Sequence, residues 1–331
     1  MIIDWQHHWY PKKYYEESGG VEGKYSRGTA KDGKTAVYLY DAFYQIEKHL
    51  EIMDAAGIDV AVLSGSQNTY EQTLYWNDQC TEILRKYPKR FVALTRFSPS
   101  WGKAGLQEID RAINELGFRG IALRVQSDDR IPLDSPEFRP FYRKMNKLGL
   151  PMFVHVSSSG QGFEGASATW ESNITLIREF DLVTGTARLV LSGVLEEFPE
   201  LKFVMSHLGG GIAAIWERVE RYVNYWGTKF WGWKTKRPPI SKPLHHYFSK
   251  IYFDMAGFEG GMKAVKCALT TISPKRLVFG TDYPPNFVDD AKGIRRYIEN
   301  IRKLDLDEKS KEDMLGGNAA KLLGLKAAKK K

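Results

Sequence analysis

Polar side chains that bind metals or move protons recur in this sequence at the ends of short apolar runs. The runs end in WQHH at residues 5–8, FVHV at 153–156, FVMSH at 203–207 and VFGTD at 278–282. They supply Gln6, His8, His155, His207 and Asp282. Neutral imidazoles and an anionic oxygen are ligands for a divalent transition metal, which keeps one position open for water or substrate. Together these residues predict a metal centre.

Each of these residues also has an ordinary structural explanation. His8 lies near the amino terminus, where a histidine is usually exposed. His155 and His207 could be hydrogen-bonded core histidines, and Asp282 could be a turn residue. Four such residues at four strand ends are nevertheless explained more simply by one shared site than by four unrelated positions.

The adjacent histidines near the start need a choice between them. Side chains of neighbouring residues in an extended strand point to opposite faces, so His7 and His8 cannot both point inward. His8 shares a face with Gln6, and we therefore expect His8 in the site. Arg124, at the end of the run IALR, is a further candidate at a strand end for binding substrate.

The elements that would position these residues follow an alternating pattern, which is typical of βα units and a parallel sheet. We predict strands at residues 2–6, 60–64, 91–97, 120–125, 152–156, 203–207, 251–255 and 277–280. We predict helices at residues 41–56, 71–87, 105–116, 136–148, 171–180 with 185–198, 211–225, 260–271, 289–303 and a last one, packed outside, at 309–323.

Eight strands alternating with eight helices predict an α/β fold, a (β/α)8 TIM barrel with long loops at its carboxyl-terminal face and an extra carboxyl-terminal helix. The strands are hydrophobic throughout, as expected for strands buried on both faces. A doubly wound open sheet is the alternative, but no glycine-rich phosphate turn follows the first or second strand. We expect a single barrel domain over residues 1–325 and a basic tail at 326–331.

Two long segments interrupt the alternation, at residues 11–37 and 224–249. The first is polar and rich in glycine, and the second is aromatic and basic. Loops of this length in a compact domain are usually lids or interface elements, and both would overhang the same face of the barrel.

Composition excludes several functional classes. Of the net charge of +8, four charges come from the terminal KAAKKK, and no nucleic-acid-binding module is present, so we expect no nucleic-acid partner. No apolar run is long enough for a membrane span, and no signal peptide is recognisable, so we expect no membrane partner. The two cysteines, Cys80 and Cys267, cannot form a disulfide framework and fit a cytoplasmic location. The mildly positive balance suits a small acidic substrate.

The motifs IDWQHHWYP, PMFVHV, KFVMSHLGGG and VFGTDYPP, taken in this order over almost the whole chain, resemble those of the amidohydrolase superfamily. The resemblance is to the amidohydrolase 2 branch, which is similar to aminocarboxymuconate-semialdehyde decarboxylase. It implies one divalent metal ion, Zn²⁺ or Mn²⁺, held by Gln6, His8, His155 and Asp282.

The resemblance also implies roles for other residues. His207 would stand beside the metal-bound water and act with Asp282 in catalysis, and Arg218, eleven residues later, would bind a substrate carboxylate. Arg27 resembles a second carboxylate-binding arginine that is donated across a dimer interface, which implies a homodimer with the aromatic segment 225–233 as candidate contact. Two candidate substrate-binding residues come from the sequence pattern instead: Arg124, because it ends a strand, and Trp9, an aromatic side chain near a strand end that could stack on a flat ring.

One position departs from the family pattern. The first-strand ligand pair is usually His-x-His or Glu-x-His, whereas this chain has Gln6 at the first place. A carboxamide oxygen is a weaker ligand for Zn²⁺ than imidazole or carboxylate. Gln6 could coordinate, act through water, or mark a site that binds metal weakly or not at all.

The function that this pattern favours is metal-dependent nonoxidative decarboxylation of an aromatic or unsaturated carboxylic acid. The alternatives with the same residues are a hydrolase of a lactone, ester or C–C bond, with or without metal, and a hydratase. A binding or structural protein on a decayed barrel is the alternative outside enzymes, and metal analysis would separate it from these.

Overall fold

The computed structural model describes residues 1–24, 26–29, 36–65, 68–127, 129–157, 172–226 and 238–326. Its strands are β1 (Ile3–His8), β2 (Ser26–Thr29), β3 (Ala36–Leu39), β4 (Val60–Ser64), β5 (Phe91–Ala93), β6 (Thr95–Arg96), β7 (Ile121–Arg124), β8 (Pro151–His155), β9 (Lys202–Met205), β10 (Tyr252–Asp254) and β11 (Leu277–Val278). All except β2 and β3 pair in parallel with their neighbours, in the orders β1-β4-β5 and β6-β7-β8-β9-β10-β11.

Backbone hydrogen bonds join these two sheets into a barrel. Between β5 and β6, the Leu94 amide donates to the Leu63 carbonyl at 3.1 Å, so the run from β5 to β6 belongs to both sheets. On the other side, the Trp5 amide donates to the Phe279 carbonyl at 2.9 Å and links β1 to the end of β11. The prediction of a (β/α)8 barrel is confirmed.

Helices alternate with the barrel strands along the chain. They are α1 (Lys12–Glu17), α2 (Ile46–Ala56), α3 (Tyr70–Lys86), α4 (Gly102–Asn114), α5 (Arg139–Leu148), α6 (Arg178–Leu191), α7 (Val194–Glu197), α8 (Ala213–Arg221), α9 (Leu244–Phe248), α10 (Met262–Ala268), α11 (Ala291–Arg302), α12 (Glu308–Glu312) and α13 (Asn318–Leu323). Among the described residues, none of these helices combines the length and the apolar character that a membrane span needs.

The apolar core has two layers. Alternate strand residues such as Ile3, Trp5 and Phe153 fill the barrel interior, and a larger layer lies between the strands and the surrounding helices. The prediction that the last helix packs outside was wrong. Leu322 and Leu323 of α13 belong to the interior layer, because this helix closes the barrel at the amino-terminal ends of its strands.

Other boundaries differ from the sequence prediction for local reasons. Residues 11–37 were predicted as a polar loop, but they include α1 and part of an antiparallel hairpin of β2 and β3. We predicted a break between helices at 171–180 and 185–198, but α6 runs without interruption through Gly185. A Cβ atom at Gly185 would stand 2.2 Å from the Val125 side chain, so this glycine serves close packing and does not break the helix. The strand predicted to end at His207 ends at Met205.

Candidate metal and acid–base site

A β-bulge in β1 directs the first two candidate residues into the barrel mouth. The pairing of β1 with β4 loses its register between Asp4 and His7. Trp5 packs in the barrel interior, yet Gln6, the next residue, also reaches the cluster at its mouth. A bulge places two residues opposite one and redirects side chains in this way. Gln6 and His8 therefore meet, as their spacing predicted, at 3.5 Å between their Nε2 atoms.

The histidine and aspartate side chains converge on one point. Ligand atoms of His8, His155 and Asp282 all lie within 4.8 Å of one another, a spacing that can hold a metal ion. His8 Nε2 is 2.9 Å from Asp282 Oδ1. The Gln6 amide nitrogen occupies the space between them, 2.6 Å from Asp282 Oδ1 and 3.1 Å from His155 Nε2. The donor set fits a divalent cation such as zinc or manganese.

Protonation states in the cluster suit ligand and acid roles. Burial and the neighbouring His8 hold the pKa of His155 well below its ordinary value, so His155 is neutral as a ligand must be. Burial alone would raise the pKa of Asp282, but the hydrogen bond from His8 and the nearby histidines lower it overall. Asp282 is therefore ionised.

The loop that carries Asp282 is held by a buried carboxylate on β1. Asp4 accepts hydrogen bonds from the Thr281 amide at 2.8 Å and from the Thr281 hydroxyl. It also lies 2.7 Å from Nδ1 of His7, whose side chain faces away from the cluster, toward His49. The backbone of Asp282 has a φ of 59°, and its amide donates to the Gln6 carbonyl at 2.9 Å. These bonds fix the carboxylate beside Gln6.

His207 lies just past β9 and is paired with an acid that the sequence prediction missed. Its Nδ1 is 2.7 Å from Oε1 of Glu179 on α6, and its Nε2 is 3.2 Å from the Gln6 amide nitrogen. Burial alone would lower the pKa of His207, but Glu179 raises it to about 9. At neutral pH the imidazole of His207 is therefore mainly protonated, and its Nε2 lies on the side of the cluster.

A second missed acid lies behind His207, at the end of β10. Asp254 is fully buried and accepts hydrogen bonds from the backbone amides of His207 and Ala256, both at 3.0 Å. Burial raises the pKa of Asp254 to about 7. This carboxyl group fixes the backbone of His207.

Two arginines line a cleft beside the cluster. They are Arg96 and Arg124, which line it together with His8, His155 and Ser64. Arg96 is 4% exposed, and Arg124 donates to Asn68 Oδ1 at 2.6 Å. Two guanidinium groups beside a metal-ligand cluster are suited to binding an anion.

The structure does not bring every predicted residue to this cleft. Arg218 is exposed on α8, with its guanidinium 4.5 Å from the ring centre of Tyr222. Trp9 is buried in the layer outside the barrel and donates to the Tyr44 carbonyl at 3.1 Å. The roles proposed for Arg218 and Trp9 stay predictions.

Other predictions fall at or beyond the limits of the described residues. The backbone of Arg27 lies in β2, opposite Tyr38. The candidate dimer contact at 225–233 lies almost entirely in residues 227–237, outside the described part of the chain.

The missed residues differ in how far the sequence could have indicated them. Arg96 interrupts a buried apolar strand, and a charged residue there is a recognisable sign of function. Glu179 lies in an amphipathic helix among other charged residues, and Asp254 closes an ordinary strand pattern. The local sequence around Glu179 and Asp254 therefore does not distinguish them from acidic residues that take no part in a site.

Comparison with known proteins places this arrangement in a family. The profile described as "Amidohydrolase" matches residues 3–325. The chain belongs to the amidohydrolase family. Two curated relatives are each 25% identical: a 2-amino-3-carboxymuconate-6-semialdehyde decarboxylase of Dictyostelium discoideum, over 89% of this chain and 80% of that protein, and a gamma-resorcylate decarboxylase of a Rhizobium species, over 74% and 78%.

Solved structures share the fold of this amidohydrolase at low identity. The 5-carboxyvanillate decarboxylase of Novosphingobium aromaticivorans, complexed with manganese, superimposes with a TM-score of 0.82 at 18% identity, covering 98% of this chain and 96% of that one. A 2,6-dihydroxybenzoate decarboxylase complexed with 2,6-dihydroxybenzoate superimposes with a TM-score of 0.77 at 22% identity, covering 98% and 99%. The likeness establishes the barrel fold.

Proposed function

We propose that this amidohydrolase is a metal-dependent nonoxidative decarboxylase of an aromatic or unsaturated carboxylic acid. The observation that carries the proposal is the convergence of His8, His155 and Asp282 within 4.8 Å, beside a cleft lined by Arg96 and Arg124. Curated relatives named as decarboxylases over most of the chain support it.

His8, His155 and Asp282 would hold one divalent ion, zinc or manganese. A divalent ion bound there supplies positive charge that stabilises negative charge developing on substrate oxygen atoms. Manganese is the ion in the related 5-carboxyvanillate decarboxylase structure, which favours it as the first ion to test.

The arginines of the cleft bind and orient the substrate. Arg96 and Arg124 lie on adjacent barrel strands and line the cleft with His8 and His155, so a carboxylate between their guanidiniums would lie against the cluster. Arg218 is exposed on α8 and would have to reach a substrate from outside the cleft, with Arg27 as a further candidate.

His207 supplies the proton that replaces CO2. When the bond between the ring carbon and the carboxylate breaks, CO2 leaves and the carbon takes a proton from His207 Nε2. Glu179, on the other side of the ring, holds the imidazole in orientation through Nδ1. Asp282 lies 3.8 Å from Nε2 and its negative charge favours the protonated ring.

The product identifies the reaction. Protein loaded with Mn²⁺ or Zn²⁺ is incubated with hydroxybenzoates and muconate-type acids in ¹⁸O-labelled water, and CO2 release and ¹⁸O uptake are followed together. The proposal expects CO2 release in step with loss of substrate, and no ¹⁸O in the remaining product. His207→Asn should abolish turnover and leave metal binding intact, and retained turnover would contradict the role of His207.

A hydratase is the second candidate. A 2-keto-4-carboxy-3-hexenedioate hydratase of a Sphingobium species is 23% identical over 75% of this chain and 71% of that protein. Incorporation of ¹⁸O without CO2 would favour hydration, or hydrolysis of a lactone, ester or C–C bond, over decarboxylation.

The remaining proposals concern assembly and location. We propose a cytoplasmic homodimer whose small-molecule substrate is a carboxylate, with the segment 225–233 as contact. Sedimentation velocity at micromolar concentration tests the proposed dimer, and a monomer under these conditions would contradict it.

A further inference from the structure

The side chain of Gln6 lies at the centre of the ligand cluster. A metal ligand would instead lie at the edge of the cluster, around the metal position. The amide nitrogen of Gln6 is 2.6 Å from Asp282 Oδ1, 3.1 Å from His155 Nε2, 3.2 Å from His207 Nε2 and 3.5 Å from His8 Nε2. Three of these neighbours, His8, His155 and Asp282, could hold a metal ion, so the amide nitrogen lies where a cation coordinated by them would lie. Metal–ligand bonds of about 2.0–2.2 Å leave no room there for an amide group as well.

The orientation of the amide is set by its neighbours. The Asp282 carboxylate is an acceptor. In His155, Nδ1 lies 3.2 Å from the Val156 carbonyl and donates its hydrogen to it, so Nε2 of the same neutral ring is an acceptor. Exchanging the two ends of the amide would place Oε1 within 2.6 Å of the Asp282 carboxylate oxygen, which is repulsive. Oε1 instead points away, buried and with no hydrogen-bond partner among the described residues.

The amide therefore interacts with the cluster much as a cation would. Its NH2 group offers one hydrogen to Asp282 and one to His155, two acceptors that would otherwise face each other in a buried site. It carries no net charge, so it neutralises nothing, but it satisfies Asp282 and His155. A glutamate at position 6 would bring a second carboxylate against Asp282. The two carboxylates would repel each other and would require a cation between them.

We propose that the Gln6 carboxamide is an internal competitor of the divalent ion, occupying the ion's position in the metal-free protein and leaving it when metal binds. Gln6 is then an obstacle to metal binding, and the ligands are His8, His155 and Asp282. This inference rests on the metal part of the proposed function.

Removing the Gln6 side chain tests the inference. Metal affinity should rise if Gln6 competes with the metal ion, and it should fall if Gln6 is a ligand. The dissociation constant for Mn²⁺ is measured by chelator competition and electron paramagnetic resonance on metal-stripped wild-type protein, Gln6→Ala and Gln6→Glu. Binding in the wild type must break the charge-assisted bond from Gln6 to Asp282, so Gln6→Ala should bind Mn²⁺ roughly tenfold to a hundredfold more tightly. Gln45→Ala is the matched control. It removes a carboxamide that donates to the Tyr44 hydroxyl, outside the cluster, and should leave affinity unchanged.

A second readout is independent of affinity. Without metal, Gln6→Ala and Gln6→Glu should unfold at lower temperature than the wild type, because Asp282 and His155 lose the hydrogen bonds that Gln6 donates to them. With saturating Mn²⁺ the increase in melting temperature should be larger in both variants than in the wild type.

The outcomes separate this inference from the function on which it rests. If Gln6→Glu binds Mn²⁺ and Gln6→Ala binds no more tightly than the wild type, Gln6 is a ligand or a bystander and the inference is wrong. If the wild type, Gln6→Ala and Gln6→Glu all fail to bind Mn²⁺ or Zn²⁺, the metal part of the proposed function falls together with the inference.

Discussion

Replacing Glu179 with glutamine should move the pH dependence of catalysis, because Glu179 keeps His207 protonated. The pKa of about 9, against an ordinary 6.5, corresponds to roughly 3 kcal/mol of preference for the imidazolium. The Glu179 carboxylate, 2.7 Å from Nδ1, is the largest cause that raises this pKa. Its side chain is 20% exposed, so water screens part of the interaction.

We therefore expect Glu179→Gln to lower the pKa of His207 by on the order of one to two units. If His207 donates its proton, kcat/KM falls as the pH rises through this pKa, and the basic limb of the profile moves to lower pH in the variant. For a fall of about two units, the protonated fraction at pH 8 drops from about 90% to about 10%, so kcat/KM drops about tenfold there.

The assay is kcat/KM for decarboxylation from pH 6 to pH 10, with the His207 ring followed by NMR titration of the metal-free protein. Glu115→Gln, which changes an exposed glutamate at the end of α4, is the matched control and should keep the wild-type profile. A basic limb at the same pH in Glu179→Gln and wild type would show that Glu179 does not keep His207 protonated. A higher kcat/KM in Glu179→Gln at pH 8 would also refute the prediction, because the ring would then act as a base.

Two further predictions concern the packing and the cleft. Leu323→Ala, at a side chain 1% exposed beneath the barrel interior, should lower the free energy of unfolding in urea by about 2–4 kcal/mol, and a change below about 0.5 kcal/mol would contradict its place in that layer. Arg96→Gln should raise KM for carboxylate substrates about tenfold or more with Mn²⁺ affinity unchanged, since it removes one guanidinium from the cleft, and an unchanged KM would assign the carboxylate to other residues.

The barrel was predictable because its signal is repeated along the chain. The predicted strand at 60–64 coincides with β4, and the other barrel strands lie within a few residues of their predicted bounds. Strands buried on both faces give near-continuous apolar runs, and these runs can be recognised in the sequence without any knowledge of tertiary contacts. The last helix was misplaced because Leu322 and Leu323 form an apolar face whose partner, the barrel interior, exists only after the strands close.

The site was predictable where residues stand at strand ends. His8, His155 and Asp282 could be proposed together because parallel strands of a barrel deliver their carboxyl ends to one face. Glu179 could not be proposed, since its approach to His207 depends on how α6 packs over the barrel mouth. The central place of Gln6 depends on a bulge in β1, which arises from pairing with β4 and leaves no mark in the local sequence.

In the proposed metal centre, side chains distant in sequence hold one cation at the mouth of the barrel. Anomalous diffraction at the manganese edge, from crystals grown with saturating Mn²⁺, would locate that cation. We expect one strong peak within about 2.0–2.4 Å of His8 Nε2, His155 Nε2 and an Asp282 oxygen, with the Gln6 amide displaced from its metal-free position. Absence of a peak among these three side chains, or a peak elsewhere only, would contradict the proposed metal centre.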